Sequence, residues 1–195
     1  MLNRGHQEGA SLVEVLVSVL IVVLGLLGLA GLQSHAALAE AEAFQRAQAV
    51  TMLQDMTDRF NANRFRRGEY ATPDPVGTGS SQPADCTVLT GGARDLCEWD
   101  KVLLGSAETL GTNKVGGMPE ARGCVTRTVA MMPEEWEIAV VWQGATPSKA
   151  PVSTCGAGKY GSDERYRRAL TTTIRVGCLQ NNPATGECTF PEPLP

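Results

Sequence analysis

The sequence predicts an α+β protein, a long N-terminal α-helix followed by a head domain with an antiparallel β-sheet. Three observations predict it. No Asp, Glu, Lys or Arg occurs between Glu14 and Glu40. Beyond Glu40 the apolar residues keep a helical period as far as Phe60. Three alternating, β-branched runs then follow from Cys124 onward.

The helix sets the frame. From Gly9 to Leu32 the chain reads Gly-Ala-Ser-Leu-Val-Glu and then an apolar run with nothing more polar than Ser18. At about 1.5 Å per residue, the charge-free span is long enough to cross a hydrocarbon core of roughly 30 Å. Residues 10–34 are therefore expected to span a membrane and 35–60 to continue as an amphipathic helix. Glu14 stands at the mouth of the apolar run, where a carboxylate costs roughly 3 kcal/mol or more and usually has a partner. If the chain were cut after Gly9, the new amino group of Ala10 would lie one helical turn from Glu14, on this chain or a neighbour.

Two other readings fit the same segment. Ala37-Leu38-Ala39 offers a small-x-small site for signal peptidase, although Val15 to Leu32 exceeds the roughly 7–15 apolar residues usual before such a site. A plain membrane anchor, with Glu14 solvated at the interface, is the second.

Gly9-Ala10-Ser11-Leu12-Val13-Glu14 ahead of a long apolar helix resembles the class III signal of type IV pilins and type II secretion pseudopilins. The likeness extends through Val13-Glu14-Val15-Leu16-Val17, Gly25-Leu26-Leu27-Gly28-Leu29-Ala30-Gly31-Leu32-Gln33 and Asp55-Met56-Thr57-Asp58-Arg59-Phe60-Asn61-Ala62-Asn63. Together these stretches resemble the minor pilins of the PilV type, the type IV pilus modification proteins. The resemblance implies a type IV pilin-like fold and a prepilin leader, residues 1–9. It implies prepilin peptidase cleavage between Gly9 and Ala10, N-methylation of Ala10, and subunit docking through Glu14. The implied partners are other minor and major pilins, the prepilin peptidase, the inner membrane and the pilus assembly platform. The implied location is a single pass of the inner membrane before assembly and the pilus on the cell surface afterwards, with the head periplasmic or extracellular. Such a subunit helps initiate pilus assembly and supports twitching motility or adhesion. A minor pseudopilin of a type II secretion system, and a pilus-tip adhesin or DNA-binding head, are the alternatives.

Gly25, Gly28 and Gly31 interrupt the apolar run, each weakening a helix interior by roughly 1 kcal/mol relative to Ala. They suit close helix packing in a membrane. The resemblance implies instead a part of the helix that loosens when a subunit leaves the bilayer for the filament. Further on, Leu32, Ala36, Ala39, Ala43, Ala47, Val50, Leu53 and Phe60 form the expected apolar stripe, with Glu40, Glu42, Arg46, Gln48, Gln54 and Asp55 between them. Asn61, Asn63 and Gly68 signal the end of the helix.

The head domain, residues 61–195, holds all six cysteines: Cys86, Cys97, Cys124, Cys155, Cys178 and Cys188. An even number confined to the part beyond the apolar helix argues for disulfides in an oxidising compartment. Of the possible pairings, Cys86–Cys97 and Cys178–Cys188 close the shortest loops and are favoured by local closure. No pair has C-x-x-C spacing and His35 is the only His after Gly9, so a zinc site lacks its usual ligand pattern. A metal or other cofactor is not expected.

Arg64, Arg66 and Arg67 read as a solvated face, with a phosphate or DNA contact as the sharper reading; an adhesin or DNA-binding head would act through these or through Arg165, Arg167 and Arg168. The net charge of −4 gives no reason to expect nucleic acid as the main partner. Thr72 to Pro83 reads as an exposed loop. Ala93 to Leu104 is expected to be a short helix with Leu96, Trp99, Val102 and Leu103 on one face, and an Asp-Leu-x-x-Trp helix stapled by a nearby Cys is similar to the segment that follows the long helix in these minor pilins. Gly105 to Gly123 is a connection. Strands are expected at Cys124–Ala130, Trp136–Gln143 and Ala169–Leu179, with Met131–Glu135 as a hairpin loop and Gly144–Arg168 as a long loop. They predict a sheet of three or four strands laid on the long helix.

Catalytic patterns are not found. A Ser-His-acid set would have to use His35, on the helix at the membrane edge, and no G-x-S-x-G elbow occurs. Gly156-Ala157-Gly158-Lys159-Tyr160 lacks the Gly spacing and the Ser or Thr of a phosphate loop. Glu134, Glu135 and Glu137 are the acids nearest to a calcium pattern and read as a solvated loop. The expectation is a structural protein and not an enzyme.

Overall fold

A computed structural model of the chain describes residues 11–105 and 117–178 in full, and the backbone of 109–110, 113–114, 180–181 and 188–189. Helix α1 runs Leu12–Ala62, two residues later at each end than the expected 10–60. Ser11 explains the start: its Oγ accepts a hydrogen bond from the Glu14 amide at 3.2 Å, and its carbonyl accepts from the Glu14 and Val15 amides. That places Ser11 at the N-cap and Glu14 three residues in, the pattern of a capping box. The chain divides into two units, Met1–Ala41 and Glu42–Pro195.

In the first unit every described residue is exposed, the large apolar ones included. Leu12 is 77% exposed and even the least exposed of the large apolar residues here, Leu38, is 44% exposed. The helix is long and apolar enough to cross a membrane. A side chain at Gly25, Gly28 or Gly31 would meet open space, so nothing within the described residues requires glycine there.

The second unit is α+β. Its part of α1 buries Ala49, Met52, Leu53, Met56 and Phe60. This corrects the expected stripe, of which only Leu53 and Phe60 are buried; Ala43, Ala47 and Val50 face outward. The cause is angular position: at about 100° per residue, Ala43, Ala47 and Val50 lie roughly 60–120° round the helix from Leu53, on the side away from Ala49, Met52 and Met56, which with Leu53 and Phe60 form the contact face.

A 3₁₀ segment, Arg64–Tyr70, leaves α1, and strand β1, Val76–Gly77, follows. After a 3₁₀ turn at Cys86–Val88 comes helix α2, Gly91–Leu103, which buries the expected Leu96, Trp99 and Leu103. Two short strands, β2 (Thr109–Leu110) and β3 (Asn113–Lys114), pair with each other within the Gly-rich connection. The main strands are β4 (Arg122–Val129), β5 (Glu134–Gln143) and β6 (Arg167–Val176), and β7 (Gln180–Asn181) pairs with β8 (Cys188–Thr189).

The main sheet has order β1-β4-β5-β6 and every neighbouring pair is antiparallel. Its four strands fall within the expected three or four; β1, within the expected loop Thr72–Pro83, is too short to carry a sequence pattern. Alternation divides the faces. Val125, Trp136, Ile138, Val140 and Trp142 join α1 and α2 in the main core, together with Tyr70 and Phe60. On the opposite face Cys124, Ala139 and Val141 meet Cys155 and Tyr160 from the long β5–β6 loop. That second, smaller core is why β5 reads as a nearly continuous apolar run: it is covered on both sides.

Candidate functional site

The residues singled out near the N-terminus begin at the edge of what the structure describes. Gly9 and Ala10, the expected cleavage and methylation sites, lie outside the described residues. Glu14 is exposed in the first turn of α1, where a carboxylate is favoured by the partial positive charge of the helix start. Its backbone carbonyl accepts from the Ser18 hydroxyl at 2.7 Å. Ser11 was not marked as a cap from the sequence; the signal that would have found it is the Ser-x-x-Glu spacing from Ser11 to Glu14. The arrangement is a capped helix end that presents a carboxylate beside an exposed apolar surface.

In the second unit the charged residues are largely committed to holding elements together. Arg59, near the end of α1, donates to Asp55, to Asp95 at 3.3 Å and to Glu98 at 2.6 Å, tying α1 to α2. Hydrogen bonds from Arg59, then from Arg94, hold the Glu98 carboxyl below the ordinary carboxylate range. Tyr70 donates its hydroxyl to Asp95 and accepts from Asn63, and burial followed by the Asp95 bond pushes the phenol up from its usual value. Asp100, buried on α2, accepts from the Gly77 amide at 2.7 Å and from Ser80, anchoring the β1 turn. None of Asp95, Asp100 or Asn63 was marked as an anchor by the sequence, in which Asn63 signals only the end of the helix.

The three acids read as a solvated loop are not one. Glu134 is the first residue of β5 and is buried. It accepts a bidentate pair from Arg67, 2.6 Å from Nε and 3.1 Å from Nη2, and a third bond from the Trp136 indole at 3.0 Å. Arg67, against the opposing cost of burial, holds this carboxyl below its ordinary value. Glu135 pairs with Arg175 and Glu137 accepts from Ser153, both on the other face of the strand. Strand alternation thus separates the carboxylates, and among the described residues no group of three His, Cys, Asp or Glu is placed to hold a metal ion.

The arginine clusters are also taken apart. Arg67 belongs to Glu134, whereas Arg64 lies over Phe65. Arg165 pairs with Asp163. Arg167 is buried, pairs with Glu164 and donates to the Ser153 and Cys155 carbonyls. Arg168 reaches Glu42 at 3.0 Å and the Thr146 carbonyl at 2.7 Å. The Thr146 hydroxyl first, and Arg168 with it, hold the Glu42 carboxyl below its usual value. Neither triplet forms a continuous basic face: the solvated reading of the first is corrected at Arg67, and in the second Arg167 is buried.

The disulfides clamp two loops. Cys86–Cys97 fixes the 3₁₀ turn to α2 and is the short pairing favoured by local closure. Cys124–Cys155 fixes the β5–β6 loop to β4, a pairing with no local signal in the sequence. Cys178 is disulfide-bonded, whereas the Cys188 side chain lies outside the described residues. Two open clefts lie among the described residues of this unit and bear on function. One, of about 460 Å³, lies between the Ala71–Gln82 loop, Leu96, Arg122 and Lys159. The other, of about 630 Å³, lies between the outer sheet face at Thr126, Thr128 and Thr171 and the Pro151–Thr154 segment. Neither lining contains a His or Cys beside a hydroxyl, so neither presents an activated nucleophile. Lys159, from the phosphate-loop-like stretch, lines the first cleft, but the neighbouring Gly158 amide is bonded to Glu164.

No protein-family model matches the chain, and comparisons with curated proteins and with solved structures give no match.

Proposed function

We propose that this chain is a minor pilin of a type IV pilus, of the PilV type. The observation that carries the reading is the start of α1: a Ser11-capped first turn presenting Glu14, followed by a helix whose apolar residues are exposed throughout the first unit. Such a surface needs an apolar partner, and both a bilayer and a bundle of like helices supply one. The disulfide-clamped α+β unit is suited to an oxidising compartment.

In this reading the leader 1–9 is removed by prepilin peptidase, Ala10 becomes the methylated N-terminus, and Glu14 meets that amine on a neighbouring subunit during assembly. The subunit first crosses the inner membrane once and then joins the pilus, where it contacts other minor and major pilins and supports twitching motility or adhesion. Its role is structural and needs no cofactor.

The test is the N-terminus of the protein recovered from its native host, read by intact mass and sequencing. A chain beginning at Ala10 with one added methyl is expected. A chain beginning at Glu40 would mean signal-peptidase release and would end the filament reading.

A further inference from the structure

We infer that β6 is a self-pairing edge, where a second copy of this chain adds its own β6 antiparallel to extend the sheet. β6 is the last strand in the order β1-β4-β5-β6, and among the described residues no strand pairs with its other side. An open edge is a row of unpaired amides and carbonyls, which monomeric proteins blunt with Pro, bulges or charges. β6 lacks these where it matters. It pairs with β5 one-to-one from Arg167 to Val176 without a register shift, and Ala169-Leu170-Thr171-Thr172-Thr173-Ile174 contains no charge, Pro or Gly. Leu170 and Ile174 pack against the main core but remain partly exposed at this edge.

The occupant follows from the register. A two-fold axis through Thr172 sets Leu170 against Ile174 and Arg168 against Val176 on the helix-facing side of the sheet. It sets Thr171 against Thr173 and Ala169 against Arg175 on the other. Each contact then occurs twice, as an isologous interface requires. The partly exposed Leu170 and Ile174 of one copy meet Ile174 and Leu170 of the other, and no arginine opposes an arginine. An axis through Thr171 instead sets Arg167 against Arg175, a like-charge pair that disfavours the register. An axis through Thr173 leaves Arg167, Arg168 and Ala169 unpaired. The strand is therefore complementary to itself in one register. The pairing stands apart from the filament reading, because it uses only the second unit.

The experiment uses the full chain in detergent and sedimentation equilibrium. Thr171 and Thr173 are exposed, so substitution there leaves the core intact. Wild type is expected to dimerise. Thr171→Lys with Thr173→Lys places Lys against Lys twice and is expected to weaken the dimer at least tenfold. Thr171→Lys with Thr173→Glu restores opposite charges and is expected to return it to within threefold of wild type. Circular dichroism melts matching wild type establish that both variants are folded. A monomeric wild type overturns the inference. So does a dimer indifferent to the Lys-Lys variant, which would place the contact elsewhere, or equal loss in both variants, which would exclude this register.

Discussion

Trp99 of α2 fills the space in which a side chain at Gly123 of β4 would stand. A methyl group at Gly123 would collide with the indole ring and come within 2.9 Å of Leu103 Cδ1. The same indole donates its Nε1 proton to the Met52 carbonyl of α1 at 3.0 Å. One side chain thus fixes both helices to the sheet, and the absence of a Cβ at Gly123 lets α2 approach.

Gly123→Ala is therefore expected to destabilise the protein by about 1–3 kcal/mol, the range for overpacking a rigid core. Gly68→Ala, where a Cβ meets nothing within 4 Å, is the control and is expected to stay within about 0.5 kcal/mol. Denaturant unfolding followed by tryptophan fluorescence measures both. Equal midpoints for the two variants would show that Trp99 can yield.

The Glu134–Arg67 pair predicts a pH dependence. The folded state favours the charged carboxylate, so the pair's stabilisation is complete above the ordinary glutamate value of 4.5 and is lost as pH falls toward the lower folded value. Glu134→Gln is expected to cost on the order of 3 kcal/mol at pH 7, since a buried bidentate partner is removed. The difference from wild type is expected to narrow below pH 4.5, which unfolding curves at several pH values will show.

Sequence reasoning reached the elements with strong periodicity and missed those whose role depends on what lies opposite. The long helix, α2 and the three main strands all carry apolar repeats, and each was legible to within a few residues. β1 was not, because two residues inside a Pro- and Gly-rich loop have no period; Gly77, at a φ of +100°, is held by Asp100 from α2. Glu134 looked solvated because its neighbours are Glu135 and Pro133, whereas its burial is decided by Arg67, distant in sequence. At the N-terminus the long apolar helix was legible, whereas its cap at Ser11 was not drawn from the Ser-x-x-Glu spacing, and Gly9 and Ala10 lie outside the described residues.

The Cys86–Cys97 and Cys124–Cys155 disulfides are expected to differ in weight. Closing the longer Cys124–Cys155 loop, with a sequence separation of 31 against 11 for Cys86–Cys97, removes more entropy from the unfolded chain. The loop-length dependence gives about 1 kcal/mol between them. Paired Cys→Ser replacement at each site, followed by thermal unfolding, is expected to lower the midpoint more for Cys124 and Cys155. They also hold the smaller core with Tyr160 and Val141. The opposite order would mean that the reduced chain keeps structure around β4.

Glu14 and Ser11 separate helix capping from docking. The cap bond runs from the Glu14 backbone amide to the Ser11 hydroxyl, so Glu14→Ala leaves it in place, whereas Ser11→Ala removes it at a cost of about 1 kcal/mol. Glu14→Gln keeps a side chain able to complete a capping box but carries no charge. If Glu14 docks by its charge, Glu14→Ala and Glu14→Gln are both expected to accumulate normally in the membrane and to be depleted from sheared filaments. Ser11→Ala, which retains the carboxylate, is expected to be incorporated near the wild-type level. Quantitative immunoblots of membrane and sheared fractions distinguish the cases. Normal incorporation of Glu14→Gln, with loss only in Ser11→Ala, would assign the motif to helix initiation and remove Glu14 from docking.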